Sequence, residues 1–173
     1  MNSIQYYPCT LADLEQLVII SKTTFCDAFE EQNNPDDFQN YLKKAFSKEQ
    51  LKSELLHPDT DFYFVYLNTQ LAAYFKLNRN EAQSDIKQID SLELERIYVT
   101  ENFQGLGLGK QLLKQVKKIA ETYDKRFIWL GVWEHNTRAI AFYERHGFYK
   151  FGTHPYFIGA DEQTDWLMRY DLP

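Results

Sequence analysis

Three glycines lie close together between a predicted strand and a predicted long helix, and this segment limits the possible folds of the chain more than any other. Residues 92–99 alternate polar and apolar side chains as a strand does, and an amphipathic helix follows Lys110. Gly105, Gly107 and Gly109 lie between the two. Glycine backbones can turn several N–H groups towards one point, and the first turn of a helix adds partial positive charge. The segment therefore predicts an anion-binding site at a strand-to-helix junction.

Two common phosphate-binding motifs do not fit this loop. A Walker A sequence requires glycine at position 104 and serine or threonine at position 111, but Gln104 and Gln111 occupy these positions. A dinucleotide-binding GxGxxG sequence that starts at Gly105 would need a glycine where Lys110 stands. The spacing therefore excludes both a P-loop and a Rossmann dinucleotide site.

Hydrophobic periodicity predicts short strands that alternate with helices. Apolar residues recur at helical spacing after Thr10, over 38–46, for one turn after Ser47, over 112–123 and over 137–146. Strand-like runs cover 4–7, 62–67, 71–77, 92–99, 127–132 and two stretches of 150–172. No repeat, low-complexity tract or Pro/Gly/Ser-rich linker divides the sequence, so we predict a single domain over residues 1–173. The mixed order of elements predicts an α/β fold with parallel pairing in its middle.

Charge and cysteine content narrow the classes of partner. The net charge of -6 argues against nucleic acid as the main ligand and suits a cationic substrate. The longest aliphatic run near the start, 17–20, is far shorter than the roughly 20 residues of a membrane span, so we expect no membrane association and a cytoplasmic protein. Cys9, Cys26 and the four histidines show neither metal-ligand nor disulfide spacing, which predicts no bound metal.

Two motifs resemble those of the GNAT superfamily of N-acetyltransferases. The first is Gln-x-x-Gly-x-Gly, with Gln104, Gly107 and Gly109. The second runs from Asn136 to Phe148 and is similar to the superfamily's Asn-x-x-Ala-x-x-Phe-Tyr-x-x-x-Gly-Phe element. The resemblance implies a mixed central sheet of about seven strands flanked by about four helices. It also implies that acetyl-CoA is the cosubstrate and that a small amine is acetylated.

The resemblance further implies which residues bind coenzyme A. In that superfamily the glycine loop holds the pyrophosphate, and the backbone of the preceding strand pairs with the pantetheine amides as an added strand would. The implied contacts are Ile97, Tyr98, Val99, Gln104, Gly105, Leu106, Gly107, Leu108, Gly109, Lys110, Asn136 and Arg145. Asn136 also has the position of an ordinary helix N-cap, and the two roles are compatible because an amide has separate donor and acceptor ends.

The resemblance implies that Tyr143 donates a proton to the CoA sulfur. A phenol, whose pKa is near 10, can protonate a departing thiolate. Tyr143 also shares a helix face with Ala139, Phe142 and His146, so a purely packing role is the alternative.

Amine acetylation also needs a proton acceptor, because an alkylammonium is almost entirely charged at neutral pH. Glu93 and Glu95 are the candidates, and Glu93 ranks first because it lies eleven positions before Gln104, the offset of the base in several GNAT enzymes. Both share strand parity with Ile97 and Val99, so the four residues would lie on one face unless a β-bulge intervenes. The alternative is that both glutamates occupy solvent-facing positions of a half-exposed strand.

The tail contains the run Gly-x-Asp-x-Gln-Thr-Asp, from Gly159 to Asp165, and resembles that of PaiA-type spermidine/spermine acetyltransferases. This resemblance implies a polyamine acceptor, for which Glu30 and Glu31 are candidate binding residues, with solvated helix ends as the alternative. Two other classes stay open: a protein or peptide N-acetyltransferase and a non-catalytic acyl-CoA sensor. The sequence also leaves a homodimer open.

Overall fold

The computed structural model describes residues 3–173, in which seven β-strands form one sheet with the order β1-β2-β3-β4-β5-β7-β6. The strands are β1 (Ile4–Pro8), β2 (Thr60–Leu67), β3 (Gln70–Asn78), β4 (Ser91–Val99), β5 (Phe127–Trp133), β6 (Tyr149–Ile158) and β7 (Asp161–Asp171). Neighbouring strands are antiparallel, except that β4 and β5 are parallel. The predicted α/β class with parallel pairing in the middle of the sheet is confirmed.

Five α-helices pack on the sheet: α1 (Leu14–Phe29), α2 (Pro35–Ala45), α3 (Lys48–Leu56), α4 (Leu108–Thr122) and α5 (Thr137–Arg145). The family resemblance implies about four, and the sequence shows only one further helical turn after Ser47. The structure has a helix of 9 residues there, whose N-terminus is capped by Ser47 Oγ accepting from Gln50 N at 3.1 Å. Helix α2 begins at Pro35, earlier than its apolar pattern indicates, because Asn34 caps it and proline suits the first helical position.

The helices bury apolar side chains on both faces of the sheet. On one face, α4 and α5 pack on the central strands, for example through Val116 and Ile140 against Leu92 and Ile128. On the other face, α1 and α3 pack through residues such as Leu17 and Leu51 against Phe64 and Tyr74. The result is a layered α/β/α arrangement in which the sheet is covered from both sides.

Strands β4 and β5 pair only at their beginnings. Ser91–Glu93 aligns with 127–129, and beyond this point β4 continues beside β3 alone while β5 continues beside β7 alone. The two parallel strands therefore diverge towards their carboxyl ends, which leaves one backbone edge of each facing a gap in the middle of the sheet. Gaps at the carboxyl ends of parallel strands are the usual ligand sites of α/β proteins.

Candidate active site

A cleft of about 930 Å³ opens where β4 and β5 diverge. It is lined by β4 from Leu94 onwards, by the glycine loop, by the end of β5, by α5, and by parts of α1, β6 and β7. Aromatic side chains from several of these elements face it, namely Phe25, Phe29, Tyr98, Phe103, Trp133, Phe142, Tyr143 and Tyr156. The cleft therefore combines strand edges and helix ends that are distant in sequence.

The glycine loop has the backbone conformation that only glycine adopts readily. Gly105 and Gly107 have φ of 78° and 76°, and Gly107 is the N-cap of α4. Gln104 Nε2 donates to Val99 O at 3.1 Å, which ties the loop to the end of β4. The loop and the first turn of α4 line the cleft, except for Leu106, whose side chain is 61% exposed outside it.

Gly109 has a packing role in addition to its place in the cleft wall. A Cβ at this position would lie 3.1 Å from Phe142 Cζ, so glycine at position 109 lets α4 and the Phe142 ring of α5 approach without displacing the ring. The sequence motif links Gly107 and Gly109 to one bound anion. The structure separates them, because Gly107 satisfies a left-handed turn and Gly109 satisfies helix packing.

Charges of opposite sign line different walls of the cleft. Lys110 on α4 and Arg138 and Arg145 on α5 form a basic wall beside the glycine loop. Acidic groups come instead from other elements, with Asp27 on α1, Glu95 on β4 and Asp165 on β7. Arg138 is a cleft residue that the sequence analysis missed, although its seven-residue spacing from Arg145 places both on the same face of α5.

Tyr143 both packs in the core and faces the cleft. Its ring contacts Phe142 and Phe148 at centroid distances of 5.4 and 5.6 Å, and the residue is 9% exposed. Burial raises the pKa of Tyr143 above its ordinary value, so the phenol is protonated at neutral pH. Tyr143 therefore packs in the core and, as a protonated phenol, also lines the cleft.

A β-bulge in β4 separates the two candidate glutamates from the strand end. Lys76 pairs with Arg96 but Leu77 pairs with Leu94, so Glu95 is the extra residue. Leu92 and Leu94 before the bulge, and Ile97 and Val99 after it, all pack in the same core cluster. The exception allowed for in the sequence therefore applies: a bulge reverses the parity, and Glu93 and Glu95 do not share a face with Ile97 and Val99.

Glu93 is buried and does not line the cleft. It is 3% exposed, accepts hydrogen bonds from Ser84 N at 2.8 Å and from Asn78 Nδ2 at 3.0 Å, and is not among the cleft-lining residues. Burial and the charge of Glu95 raise the pKa of Glu93. The hydrogen bonds of Glu93 therefore tie strand β4 to β3 and to the loop before β4.

Glu95 does line the cleft, but it is held in an ion-pair cluster. Lys76 Nζ lies 2.5 Å from its Oε2, and Asn78 Nδ2 donates to the same oxygen at 2.6 Å. Burial by itself raises the pKa of Glu95, but the charges of Lys76 and Arg96 outweigh this effect and lower the pKa to about 2. A carboxylate with such a low pKa is a weak base.

The pKa of Asp165 is shifted in the opposite direction from that of Glu95. It lines the cleft, it is 9% exposed, and burial raises its pKa to about 6 although the charge of His154 acts in the other direction. In the sequence, Asp165 is evident only as the last residue of the tail motif. Its position in the cleft depends on the pairing of β7 with β5 and β6, which no local pattern reveals.

The candidate substrate residues Glu30 and Glu31 are exposed and do not line the cleft. Their neighbours do, because Asp27 and Asn33 face it from either side of the pair. Gln163 Nε2 donates to Asn33 Oδ1 at 2.9 Å, which links β7 to the segment between α1 and α2, and both residues line the cleft.

Two further features bear on the class of site. Within residues 3–173, no group of three or more His, Cys, Asp or Glu side chains is placed to hold a metal ion. No helix in the same part of the chain is long and apolar enough to cross a membrane.

Comparison with known proteins agrees with this architecture. The model of the acetyltransferase (GNAT) family matches residues 23–148. A Lactobacillus delbrueckii subsp. lactis protein, called an uncharacterized N-acetyltransferase in the pepI 3' region, is 36% identical over 172 residues, 99% of each chain. The crystal structure of PaiA N-acetyltransferase from Thermoplasma acidophilum in complex with coenzyme A has a TM-score of 0.79 at 21% identity, and the match covers 98% of this chain and 99% of that one. Spermine/spermidine N(1)-acetyltransferase of Bacillus subtilis is 43% identical over 56 residues, 32% of this chain and 37% of that protein.

The chain has the fold of the solved PaiA acetyltransferase, a mixed sheet whose parallel pair diverges beside a glycine loop. The chain belongs to the acetyltransferase (GNAT) family. It is therefore an acetyl-CoA-dependent N-acetyltransferase.

Proposed function

We propose that this enzyme transfers the acetyl group of acetyl-CoA to a primary amine of a polycation such as spermidine or spermine. The observation that carries the proposal is the division of charge in the cleft. The basic wall of Lys110, Arg138 and Arg145 suits the phosphates of coenzyme A, and the acidic residues Asp27 and Asp165 suit ammonium groups. The partial similarity to a spermine/spermidine acetyltransferase supports the same acceptor.

The cofactor end of the cleft fits coenzyme A. The glycine loop leads into the first turn of α4, where backbone N–H groups and the helix dipole favour an anion. Residues Gln104 to Lys110 would therefore hold the pyrophosphate. The edge of β4 that faces the gap, at Ile97–Val99, would bind the pantetheine amides. Asn136 Oδ1 accepts from Ala139 N at 3.2 Å as an N-cap, and its amide nitrogen would donate to the same arm.

The amine end of the cleft fits a flexible polycation better than a folded peptide. Phe29, Tyr98 and Tyr156 are large aromatic side chains that narrow it, and aromatic faces attract ammonium groups. A chain of methylene groups that separates several charges can contact the rings and the carboxylates at the same time. We therefore favour a polyamine over a protein or peptide acceptor. Release of the CoA thiol in the presence of an amine would distinguish the enzyme from a non-catalytic acyl-CoA sensor.

The cofactor assignment predicts a charge-specific loss of affinity. Arg138→Ala and Arg145→Ala should each raise the Kd for coenzyme A several-fold, and the effect should weaken in high salt because both arginines are exposed and screened. Lys114→Ala is the matched control, since Lys114 is an exposed cation on α4 that does not line the cleft. Calorimetry at low and high salt measures the difference, and equal effects of all three substitutions would contradict a specific phosphate site.

The acceptor assignment predicts a preference for multiple charges. Steady-state release of the CoA thiol should give a higher kcat/KM for spermidine than for butylamine, because a second ammonium can reach a carboxylate in the cleft. Asp27→Asn should raise the KM for spermidine several-fold and leave the KM for acetyl-CoA unchanged. Glu30→Gln combined with Glu31→Gln is the control, since neither side chain lines the cleft. Equal specificity constants for the two amines would refute the polyamine acceptor and leave an N-acetyltransferase with another substrate.

A further inference from the structure

Three ionisable side chains form a row from the cleft to the protein surface. Asp165 is at the inner end, in the cleft wall, and His154 Nε2 lies 3.9 Å from its Oδ2. On the other side of the imidazole ring, His154 Nδ1 lies 2.9 Å from Oδ2 of Asp85, which is exposed. The row joins β7, β6 and the loop before β4. His154 and Asp165 face each other across the β6–β7 hairpin, whereas Asp85 comes from a loop that is distant in sequence.

Gly131 on β5 provides the space for the inner part of the row. A Cβ at position 131 would lie 3.2 Å from Asp165 Oδ2 and 3.9 Å from His154 Nε2. The carboxylate therefore lies over the β5 backbone, at the edge of the gap between β4 and β5. A glycine inside a strand often marks such a close approach, and here it leaves room for the Asp165 carboxylate and the His154 ring.

We propose that Asp165 is the general base that takes the proton from the acceptor ammonium, and that His154 and Asp85 relay this proton to solvent. This proposal rests on the proposed function, because it assumes an ammonium acceptor in the cleft. His154 and Asp85 are positioning and relay residues, whereas Asp165 meets the substrate.

The proton balance of the reaction requires such a path. The acceptor nitrogen begins as an ammonium and ends as an amide, so it loses two protons. One passes to the Asp165 carboxylate before the nitrogen lone pair attacks the thioester carbonyl carbon. The carbon–sulfur bond then breaks, Tyr143 protonates the departing thiolate, and the second nitrogen proton restores the phenol. The net product is one proton, which must leave the cleft from Asp165.

The geometry of His154 suits transfer in the outward direction. When Nδ1–H donates to Asp85, the Nε2 lone pair faces Asp165 and can accept its proton, through a small side-chain rotation or one water molecule. The resulting imidazolium is paired with Asp85, which is exposed to solvent. A carboxylate that orients a histidine towards a reacting group is a recurring arrangement in enzymes.

Asp165 is better suited to this role than either glutamate. Its pKa of about 6 is close to neutral pH, where a general base is most effective, whereas ion pairs lower that of Glu95 to about 2. Glu93 lies outside the cleft lining. The ionisable groups around Asp165 are His154 on β6, Asp85 beyond it, and the Tyr41 phenol on α2, whose own pKa is raised in part by Asp165.

Kinetics against pH test the proposal. Wild-type kcat/KM for spermidine should fall at acid pH with an apparent pKa near 6. Asp165→Asn should lower kcat/KM at pH 7.5 at least tenfold, abolish this acid limb and leave the Kd for coenzyme A unchanged. Glu162→Gln, on the exposed face of the same strand, is the control and should change none of these values. An acid limb that persists in Asp165→Asn would overturn the proposal.

His154→Gln separates the two ionisable groups. His154 favours the ionised form of Asp165, so this variant should keep the acid limb but move it to higher pH. Loss of the limb in His154→Gln would assign the base to the histidine and overturn the role of Asp165. If the wild-type enzyme acetylates no amine at all, the proposed function fails first, and the proposal fails with it.

The pH dependence of unfolding distinguishes a general base at position 165 from a residue that only stabilises the fold. The folded-state pKa of Asp165, about 6, lies above its ordinary 3.8, so its contribution favours folding at low pH and is lost as pH rises from about 4 to about 6. Asp165→Asn should therefore unfold at a higher urea concentration than wild type at pH 7.5, and at a similar one at pH 4. A lower midpoint at pH 7.5 would contradict the proposal, since it would make Asp165 a structural residue.

Discussion

Replacing Tyr143 by phenylalanine is expected to lower kcat by roughly 10² while the Kd for acetyl-CoA stays near the wild-type value. The ring contacts with Phe142 and Phe148 do not involve the hydroxyl, so the variant keeps its packing. What it loses is the phenol, the proposed proton donor, which burial keeps protonated at neutral pH. Steady-state thiol release with saturating amine measures kcat, and calorimetry measures coenzyme A binding.

Tyr123→Phe is the matched control for this prediction. The Tyr123 hydroxyl donates to Asp61 Oδ2 at 2.9 Å and lies outside the cleft, so its removal should cost about 1 kcal/mol of stability without changing turnover. An unchanged kcat in Tyr143→Phe would leave Tyr143 with the packing role alone. A fall of similar size in both variants would indicate a general loss of stability rather than the loss of an acid.

The parts of the site that the sequence predicts are those made by short segments. The glycine loop joins β4 to α4 within about ten residues, and its conformation follows from the positions of Gly105 and Gly107. The α5 motif likewise places Asn136 at the N-cap and Tyr143 two turns later on the cleft side. Local periodicity is enough to locate such residues, because helix geometry fixes which side chains share a face.

The acidic part of the site could not be predicted in this way. Asp85, His154 and Asp165 meet only because β6 and β7 fold back beside β5 and a loop lies next to them. The placement of Glu93 and Glu95 on one face with Ile97 and Val99 depends on strand parity, and one extra residue at a β-bulge reverses parity without leaving a mark in the sequence. Net charge indicates a cationic ligand but does not say which carboxylates face the cleft.

The buried cluster around Glu95 has a consequence for stability. Lys76 is 4% exposed, and its Nζ lies 2.9 Å from Glu54 Oε2 and 2.5 Å from Glu95 Oε2. Arg96 is close to the same two carboxylates, at 3.8 and 3.9 Å. Removing one member of a buried ion-pair cluster costs much more than removing an exposed pair, because the remaining charges stay buried without full compensation.

Lys76→Met is therefore expected to lower the free energy of unfolding by roughly 3 to 5 kcal/mol at pH 7. Lys48→Met, which removes an exposed partner of Glu15, is the control and should change stability little. The pH dependence provides a second check. The pKa of Glu95 is lowered from 4.5 to about 2, so its stabilising contribution is present above 4.5 and is lost as pH falls towards 2. Lys76→Met should weaken this dependence, and urea unfolding of both variants between pH 7 and pH 3 measures it. A loss no larger than that of the control would mean that water, rather than Lys76, compensates the charges of Glu54 and Glu95.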